Sequence, residues 1–338
     1  MGPNGLIQML EQGVPLGRFG LQVSQLAFGT AAVGNLYRAV SDADAGRALR
    51  AAYDSGISYF DTAPHYGLGL AESRLGDLVR SLPRDQIVIS SKVGRLIREN
   101  PHHDGGMDDQ GFMVPNRLYR VLDYSYDGVM TSIEESIERL GVDYIDVAFV
   151  HDPDDFEEEA LEGAFVALEK LRSEGVIKSF GAGMNQSEML ARFVERTDLD
   201  VVMCAGRFSL LEQPALLDLL PIALERGVSV VAAGVFNSGI LATESPEAGA
   251  NYNYEPASEE LIEKAQRMSE ICQESGFSLP QVAAQFPLLH PAVPVVCLGA
   301  RSREQAQRNT SLFSSPVSKD FYRHLADEGF LSLEGFDY

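Results

Sequence analysis

Short apolar runs of strand length alternate along this chain with segments whose apolar positions recur every three to four residues. The runs cover residues 26–29, 57–60, 87–91, 144–150, 177–182, 201–204, 228–232 and 293–298. Helical spacing fills 42–55, 72–80, 128–140, 156–174, 187–196 and 214–226, and the pattern closes with 258–274, 279–287 and 303–313. Ser41 is a natural N-cap for the first helix and Gly56 its stop; Gly141 and Gly175 end two later ones. Several runs are apolar on both faces, as in a parallel sheet covered by helices. Eight such units predict an α/β fold, a closed (β/α)8 barrel rather than an open sheet. Residues 14–23, two apolar stretches around Phe19-Gly20, read as a β-hairpin closing the bottom of the barrel. No repeat or low-complexity linker divides the chain, so residues 1–338 are expected to form a single domain. Residues 1–13 read as an extension with helical spacing over 6–11.

Two connections exceed ordinary loop length. Residues 94–127 are rich in Gly, Asp, His and Tyr, and 237–257 carry Asn251-Tyr252-Asn253-Tyr254. Both leave strand C-terminal ends, the face where barrels of this kind carry their sites. They are expected to cover a ligand or cofactor, with solvated insertions as the alternative. His102-His103-Asp104 and Asp108-Asp109 lack ligand spacing, so no metal is expected. Asp152, Asp154 and Asp155, with Glu157, Glu158 and Glu159, stand near a helix start, where acids suit the dipole; they read as capping and surface charge.

Composition narrows the partners. Lys and Arg number 27 against 49 Asp and Glu, a net charge of −22. A field of that sign repels nucleic acid and anionic membranes. No apolar run approaches the roughly 20 residues of a membrane span, and no signal-peptide pattern opens the chain. Cys204, Cys272 and Cys297 lie far apart among apolar neighbours and read as buried thiols in a reducing cytoplasm.

Three strands end in titratable residues: the second at Asp61, the third at Lys92, the fourth at His151. Tyr66 follows the second in a Pro- and Gly-containing loop. Each has a bland reading alone: Asp61 a turn cap, Lys92 a snorkelling strand end, His151 a packed loop residue. In a barrel the four meet at the mouth. A tyrosine of pKa about 10 is a poor acid or base at neutral pH; a nearby ammonium favours the phenolate, and a carboxylate keeps that lysine charged. Tyr66 is therefore expected to be the general acid/base, tuned by Lys92 and Asp61, with His151 polarising a substrate oxygen. Two glycine clusters fail a Rossmann reading, because Gly67-x-Gly69 and Gly181-x-Gly183 would each need a third glycine where Glu72 and Gln186 stand.

Asp61-Thr62-Ala63-Pro64-His65-Tyr66-Gly67, Ser90-Ser91-Lys92-Val93 and Asp146-Val147-Ala148-Phe149-Val150-His151-Asp152-Pro153 resemble the signatures of the aldo-keto reductase superfamily. The likeness runs from about residue 14 to 313. It implies a (β/α)8 barrel, a nicotinamide dinucleotide and no metal, with Asp61, Tyr66, Lys92 and His151 as the tetrad. Leu122-Asp123-Tyr124-Ser125, Gly181-Ala182-Gly183-Met184-Asn185-Gln186 and Gly234-Val235-Phe236-Asn237-Ser238-Gly239 are similar to one branch of it. That branch holds D-threo-aldose 1-dehydrogenases (L-fucose or L-galactose dehydrogenases) and pyridoxal 4-dehydrogenase. The branch implies oxidation of a cyclic hemiacetal to its lactone. Met113, Phe112, Tyr119, Tyr124 and Tyr252 could face a pyridine or a pyranose equally.

The same resemblance assigns cofactor contacts. Asn185 matches the amide on the nicotinamide carboxamide, although Gly183-Met184 replace the usual Ser-Asn before it. Phe236, Asn237, Ser238, Gly239 and Leu241 match the pyrophosphate loop. Gly299, Arg301, Ser302, Gln305, Arg308 and Asn309 match the adenosine site, where a helix start near Ser302 suits phosphate. Neither Gly299 nor Gln305 is basic, so NAD is favoured, with NADP the alternative because Arg301 and Arg308 are near. Ala233 stands where a stacking aromatic is expected, leaving that role to Phe208 or Phe236. The enzymatic alternative is an NADPH-dependent aldehyde or ketone reductase; the non-enzymatic one is a cofactor-binding, redox-sensing regulatory subunit.

Overall fold

Eight parallel strands close on themselves in the computed structural model of the chain, which describes residues 13–247, 249–253, 255–333 and 336. The helical spacing at 6–11 and Tyr254 lie outside the described residues. A hairpin comes first, β1 (Val14–Leu16) paired antiparallel with β2 (Leu21–Val23). The barrel then begins with β3 (Leu26–Gly29), β4 (Tyr59–Asp61) and β5 (Val88–Val93). A second hairpin, β6 (Arg95–Glu99) with β7 (Leu118–Leu122), interrupts it. β8 (Val147–His151), β9 (Ser179–Met184), β10 (Val201–Ala205) and β11 (Ser229–Ala233) follow. After a two-residue ladder of β12 (Asn251–Tyr252) with β13 (Glu255–Pro256), β14 (Val295–Gly299) closes the barrel against β3.

The two-residue period of a strand divides its side chains between two cores. Phe28, Phe60, Ile89, Ala148, Phe180 and Val202 point outward into the large core shared with the helices. Ala27, Tyr59, Val88, Val147, Phe149, Val201, Val231 and Val295 point inward and fill the barrel axis. Leu16, Leu21 and Val23 of the first hairpin join that inner core, so the hairpin plugs the bottom as its pattern predicts. Carrying the inward parity toward the strand C-termini gives Tyr59 then Asp61, Val88 then Ser90 and Lys92, and Val147 then Phe149 and His151. The inner core is thus apolar at its base and ionisable at its top. Register aligns these layers, Asp61 pairing with Ser90, Lys92 with Phe149, and His151 with Gly183.

Helices α1 (Asp42–Asp54), α2 (Leu70–Val79) and α3 (Tyr126–Leu140) lie outside the barrel, followed by α4 (Phe165–Ser173), α5 (Ser187–Arg196) and α6 (Leu219–Arg226). Next come α7 (Glu259–Glu274), α8 (Leu279–Gln285), α9 (Arg303–Ser311) and α10 (Lys319–Asp327). Ser41, Ser125, Ser258, Ser278, Ser302 and Ser318 each accept a first-turn N–H and cap one of them. Three local readings are corrected. The 156–174 helix contains a π turn at Ala160–Ala164, and 214–226 splits into a short 3-10 turn and α6. The third concerns α10, which continues the fold past 313; Tyr322 there donates to Val282 O at 3.0 Å, tying it to α8. Among the described residues no helix is long and apolar enough to cross a membrane.

Candidate active site

The site starts from a buried ion pair. Lys92 Nζ donates to Asp61 Oδ2 at 2.6 Å and to Thr62 O at 3.0 Å, and Ser90 Oγ donates to Asp61 Oδ1 at 2.7 Å. Both charged groups are 2% exposed, so each depends on the other for its charge to be tolerated. The ammonium stands 4.7 Å from the centroid of the Tyr66 ring. Tyr66 is delivered there by a tight loop. Gly67 has φ +65°, and a Cβ on it would sit 2.3 Å from Gly34 O, so this backbone approach needs glycine. The glycines thus present the tyrosine.

Burial sets the protonation states. It pulls the Lys92 ammonium down, but the Asp61 carboxylate and Tyr66 outweigh it, and the net shift is upward. Burial also pushes the Tyr66 phenol above its ordinary value, with the Lys92 charge opposing and the Asp61 charge reinforcing the rise. In the protein alone desolvation outweighs the Lys92 charge and favours the phenol of Tyr66, while Lys92 opposes that shift. His151 is held well below the ordinary histidine value by burial and by the Arg95 and Lys92 charges. His65 is pushed down to about 2 by burial and by Arg95, Arg120 and Lys92. Both imidazoles are neutral.

Tyr66, Lys92, His65 and His151 line one cavity of about 340 Å³ with Phe112, Gln110, Tyr37, Asp152 and Asn185. The Tyr66 ring stacks on Phe112 with centroids 6.1 Å apart and meets His151 edge-on at 5.9 Å. His151 Nδ1 is buried without a protein partner, and Nε2, 3.5 Å from Asp152 Oδ2, is the ring nitrogen beside the cavity-lining carboxylate. Phe112 and Gln110 come from the 94–127 segment, which is mostly ordered structure. β6 pairs with β7, Leu36 bridges to Phe112, and Arg120 forms a buried pair with Asp108 at 2.5 Å. Asp108 is thus spent on Arg120, and His103 and Asp104 on Asn116. No group of three or more His, Cys, Asp or Glu is placed to hold a metal among the described residues.

Several residues fall elsewhere than their patterns suggest. Tyr124 is fully buried and donates to His151 O at 2.7 Å and Asp152 O at 2.9 Å, beneath the cavity rather than facing it. Phe208 packs against Phe286, His290 and Phe336 in the core and is unavailable for stacking. Met113 and Tyr119 are exposed. Asp152 is not surface charge: it lines the cavity and pairs with Arg95 at 2.9 Å. Arg95, His65, Gln110 and Tyr37 carried no motif of their own; His65 was legible only as the neighbour of Tyr66.

A groove runs from the cavity past Leu36, Tyr37, Asn185, Ala205 and Gly234 to Asn237, Ser238, Asn253 and Arg301. Gly234, Asn237, Ser238 and Gly239 all have positive φ, which turns this loop sharply beside the groove. Asn237 is buried with both side-chain polar atoms unpartnered, and Arg301 Nε is likewise unpartnered. Beside the groove these groups are ones that a polar ligand would satisfy. Phe236 and Leu241 turn toward the core, leaving mainly backbone to the groove. Asn309 donates to Gly299 O at 3.0 Å, Gln305 accepts from Arg301 N at 2.8 Å, and Ser302 caps α9. Arg308 is exposed and lines a separate hollow with Thr243 and Glu244. The groove fits an extended dinucleotide.

A parallel barrel with a buried Lys–Asp pair beneath a tyrosine, and a polar groove leading away, is the arrangement that the aldo-keto reductase resemblance implies for an oxidoreductase using a nicotinamide cofactor. The chain belongs to the aldo/keto reductase family, whose model matches residues 25–327. It is 44% identical over 311 residues to D-threo-aldose 1-dehydrogenase of Pseudomonas sp, covering 91% of this chain and 94% of that protein. It is 42% identical over 335 residues to pyridoxal 4-dehydrogenase of Microbacterium luteolum, covering 94% and 97%. Among solved structures, the holo form of an aldo-keto reductase from Bacillus halodurans superposes with a TM-score of 0.75 at 25% identity, covering 97% of this chain and 98% of that one.

Proposed function

We propose that the protein is a dehydrogenase that oxidises a cyclic hemiacetal, an aldose such as L-fucose or pyridoxal, to its lactone. The observation that carries this is the buried Asp61–Lys92 pair under Tyr66, beside a neutral His151, at the base of a cavity sized for one ring. When bound, an oxidised nicotinamide supplies the hydride acceptor and a positive charge. Asn185, Asn237, Ser238 and Arg301 would hold it along the groove, with Gly299, Ser302, Gln305 and Asn309 toward the adenosine end. Tyr66 acts in its ionised form, whose negative charge Lys92 compensates; its Oη takes the hydroxyl proton of the substrate and becomes the phenol, while His151 donates to the substrate oxygen. Asp61 keeps Lys92 charged and aimed. NAD is the proposed cofactor, since Gly299 and Gln305 bring no cation to a 2′-phosphate and Arg308 lines a separate hollow. Mixing the protein with NAD or NADP and L-fucose, L-galactose, D-arabinose or pyridoxal should raise the near-ultraviolet absorbance of reduced nicotinamide. The kcat/KM for NAD should exceed that for NADP about tenfold; the reverse order would remove the NAD assignment.

A second reading, carbonyl reduction, draws on the raised pKa of Tyr66, which keeps the phenol protonated as a general acid. The pH dependence separates the two. Oxidation needs the ionised Tyr66, whose pKa lies above the ordinary value, so kcat/KM for oxidation should climb through pH 7–9 without levelling, by up to about tenfold per unit. Reduction should be flat there. Neither profile should bend near an ordinary histidine pKa, because burial keeps both cavity imidazoles neutral.

A further inference from the structure

Asp152 is the one carboxylate among the described residues lining the catalytic cavity. Nothing in the proton and hydride chemistry requires it, yet it is held with unusual care. Its φ is +43°, a region that residues other than glycine seldom occupy. Three hydrogen bonds impose that turn: Asp152 N donates to Gly183 O at 3.1 Å, and the fully buried Tyr124 donates to His151 O and Asp152 O. A strained backbone persists where its surroundings over-determine it, and such positions cluster at ligand clamps. The turn aims the side chain into the cavity, where it stays 29% exposed. Arg95 Nη2 donates to Oδ2 at 2.9 Å, and His151 Nε2 lies 3.5 Å from the same oxygen. Oδ1 makes no comparable bond to Arg95, so an acceptor remains beside His151.

We infer that Asp152 is a specificity-determining residue, accepting a hydrogen bond from a second substrate hydroxyl on the carbon next to the one oxidised. The inference rests on the hemiacetal reading above. A substrate oxygen held by Tyr66 and His151 brings the hydroxyl of the adjacent carbon toward the group next to His151, and neighbouring His151 and Asp152 match the two oxygens of a vicinal pair. Arg95 acts as a positioning residue, fixing the carboxylate and balancing its charge. The site therefore selects 2-hydroxy hemiacetals over their 2-deoxy counterparts, because the deoxy analogue forfeits the hydrogen bond to the carboxylate.

The test compares kcat/KM for L-fucose and 2-deoxy-L-fucose with NAD. In the wild type the parent sugar should be favoured about 10- to 100-fold, the worth of a hydrogen bond to a charged acceptor. Asp152→Gly accepts the positive φ and removes the carboxylate; Asp152→Asn also tolerates that backbone and removes the charge. In Asp152→Gly the preference should fall at least about tenfold, and Asp152→Asn should lie between it and the wild type. A merely structural role would lower both sugars alike and leave the ratio at its wild-type value, which would overturn the inference. If wild type oxidises pyridoxal but neither sugar, the inference is overturned while the hemiacetal reading stands, because the carbon next to pyridoxal's hemiacetal carbon bears no hydroxyl; if it oxidises none of the three, the hemiacetal reading falls separately. Reduction of lactaldehyde against propanal then carries the comparison, with the same collapse of preference supporting the role of Asp152 and an unchanged ratio refuting it. Absence of turnover in both directions would overturn both.

Discussion

Replacing Tyr66 with phenylalanine should lower kcat by about a thousandfold, the middle of the range contributed by general acid–base groups. The ring itself should stay in place, because it stacks on Phe112 and lies over the Lys92 ammonium without needing its hydroxyl. Cofactor affinity should be retained, since the groove is built from other residues, and fluorescence titration with NADH would check it. Loss of kcat with unchanged cofactor affinity assigns the proton transfer to Tyr66 Oη. Activity within a few-fold of wild type would remove Tyr66 from that role.

Replacing Lys92 with methionine should have the largest effect on stability. The substitution keeps the chain length but leaves the Asp61 carboxylate buried with only the Ser90 hydroxyl for company. Removing one member of a buried pair typically costs about 3–5 kcal/mol, because the remaining charge has neither water nor counter-charge. Urea unfolding should show that loss, and turnover should fall at least about a hundredfold because nothing then compensates charge on Tyr66. Adding Asp61→Asn to Lys92→Met should recover much of the stability and none of the activity. A double variant no more stable than the single one would show that the loss comes from packing instead.

The buried pair also accounts for the division of labour in the barrel. Its interior is a packed apolar column from the hairpin plug up to Phe149, and the ionisable layer sits only where the strands end. Asp61 and Lys92 can be carried there because each is the other's partner, and His151 because its ring is neutral and its backbone carbonyl is pinned by Tyr124. The price of three buried polar side chains is met by fixed geometry, and fixed geometry is what proton transfer requires.

Much of this was already legible in the chain. Strand length, helical spacing and stop residues are local properties, so eight β/α units and a closed barrel followed from the pattern of apolar positions. Strand ends are local too, and Asp61, Lys92 and His151 each stand at one, so that a barrel brings them to a single mouth. Other features depend on partners distant along the chain. β6 and β7 mix charged and apolar residues without alternation and become strands only when Arg95 meets Leu122. Phe208 was a candidate for stacking until Phe286 and Phe336 enclosed it. Asp152 read as surface charge because nothing in its neighbours betrays a φ of +43°, which Tyr124 and Gly183 impose from other elements. The protonation of Tyr66 was open in the same way: Lys92 and Asp61 were visible as residue types, but desolvation and charge pull in opposite directions, and only the depth of burial decides which prevails. Periodicity and residue chemistry thus determined the barrel and the reacting groups. Tertiary packing alone decided their charge states and which acid faces the substrate, because burial and enforced backbone turns are produced by contacts between segments far apart in sequence.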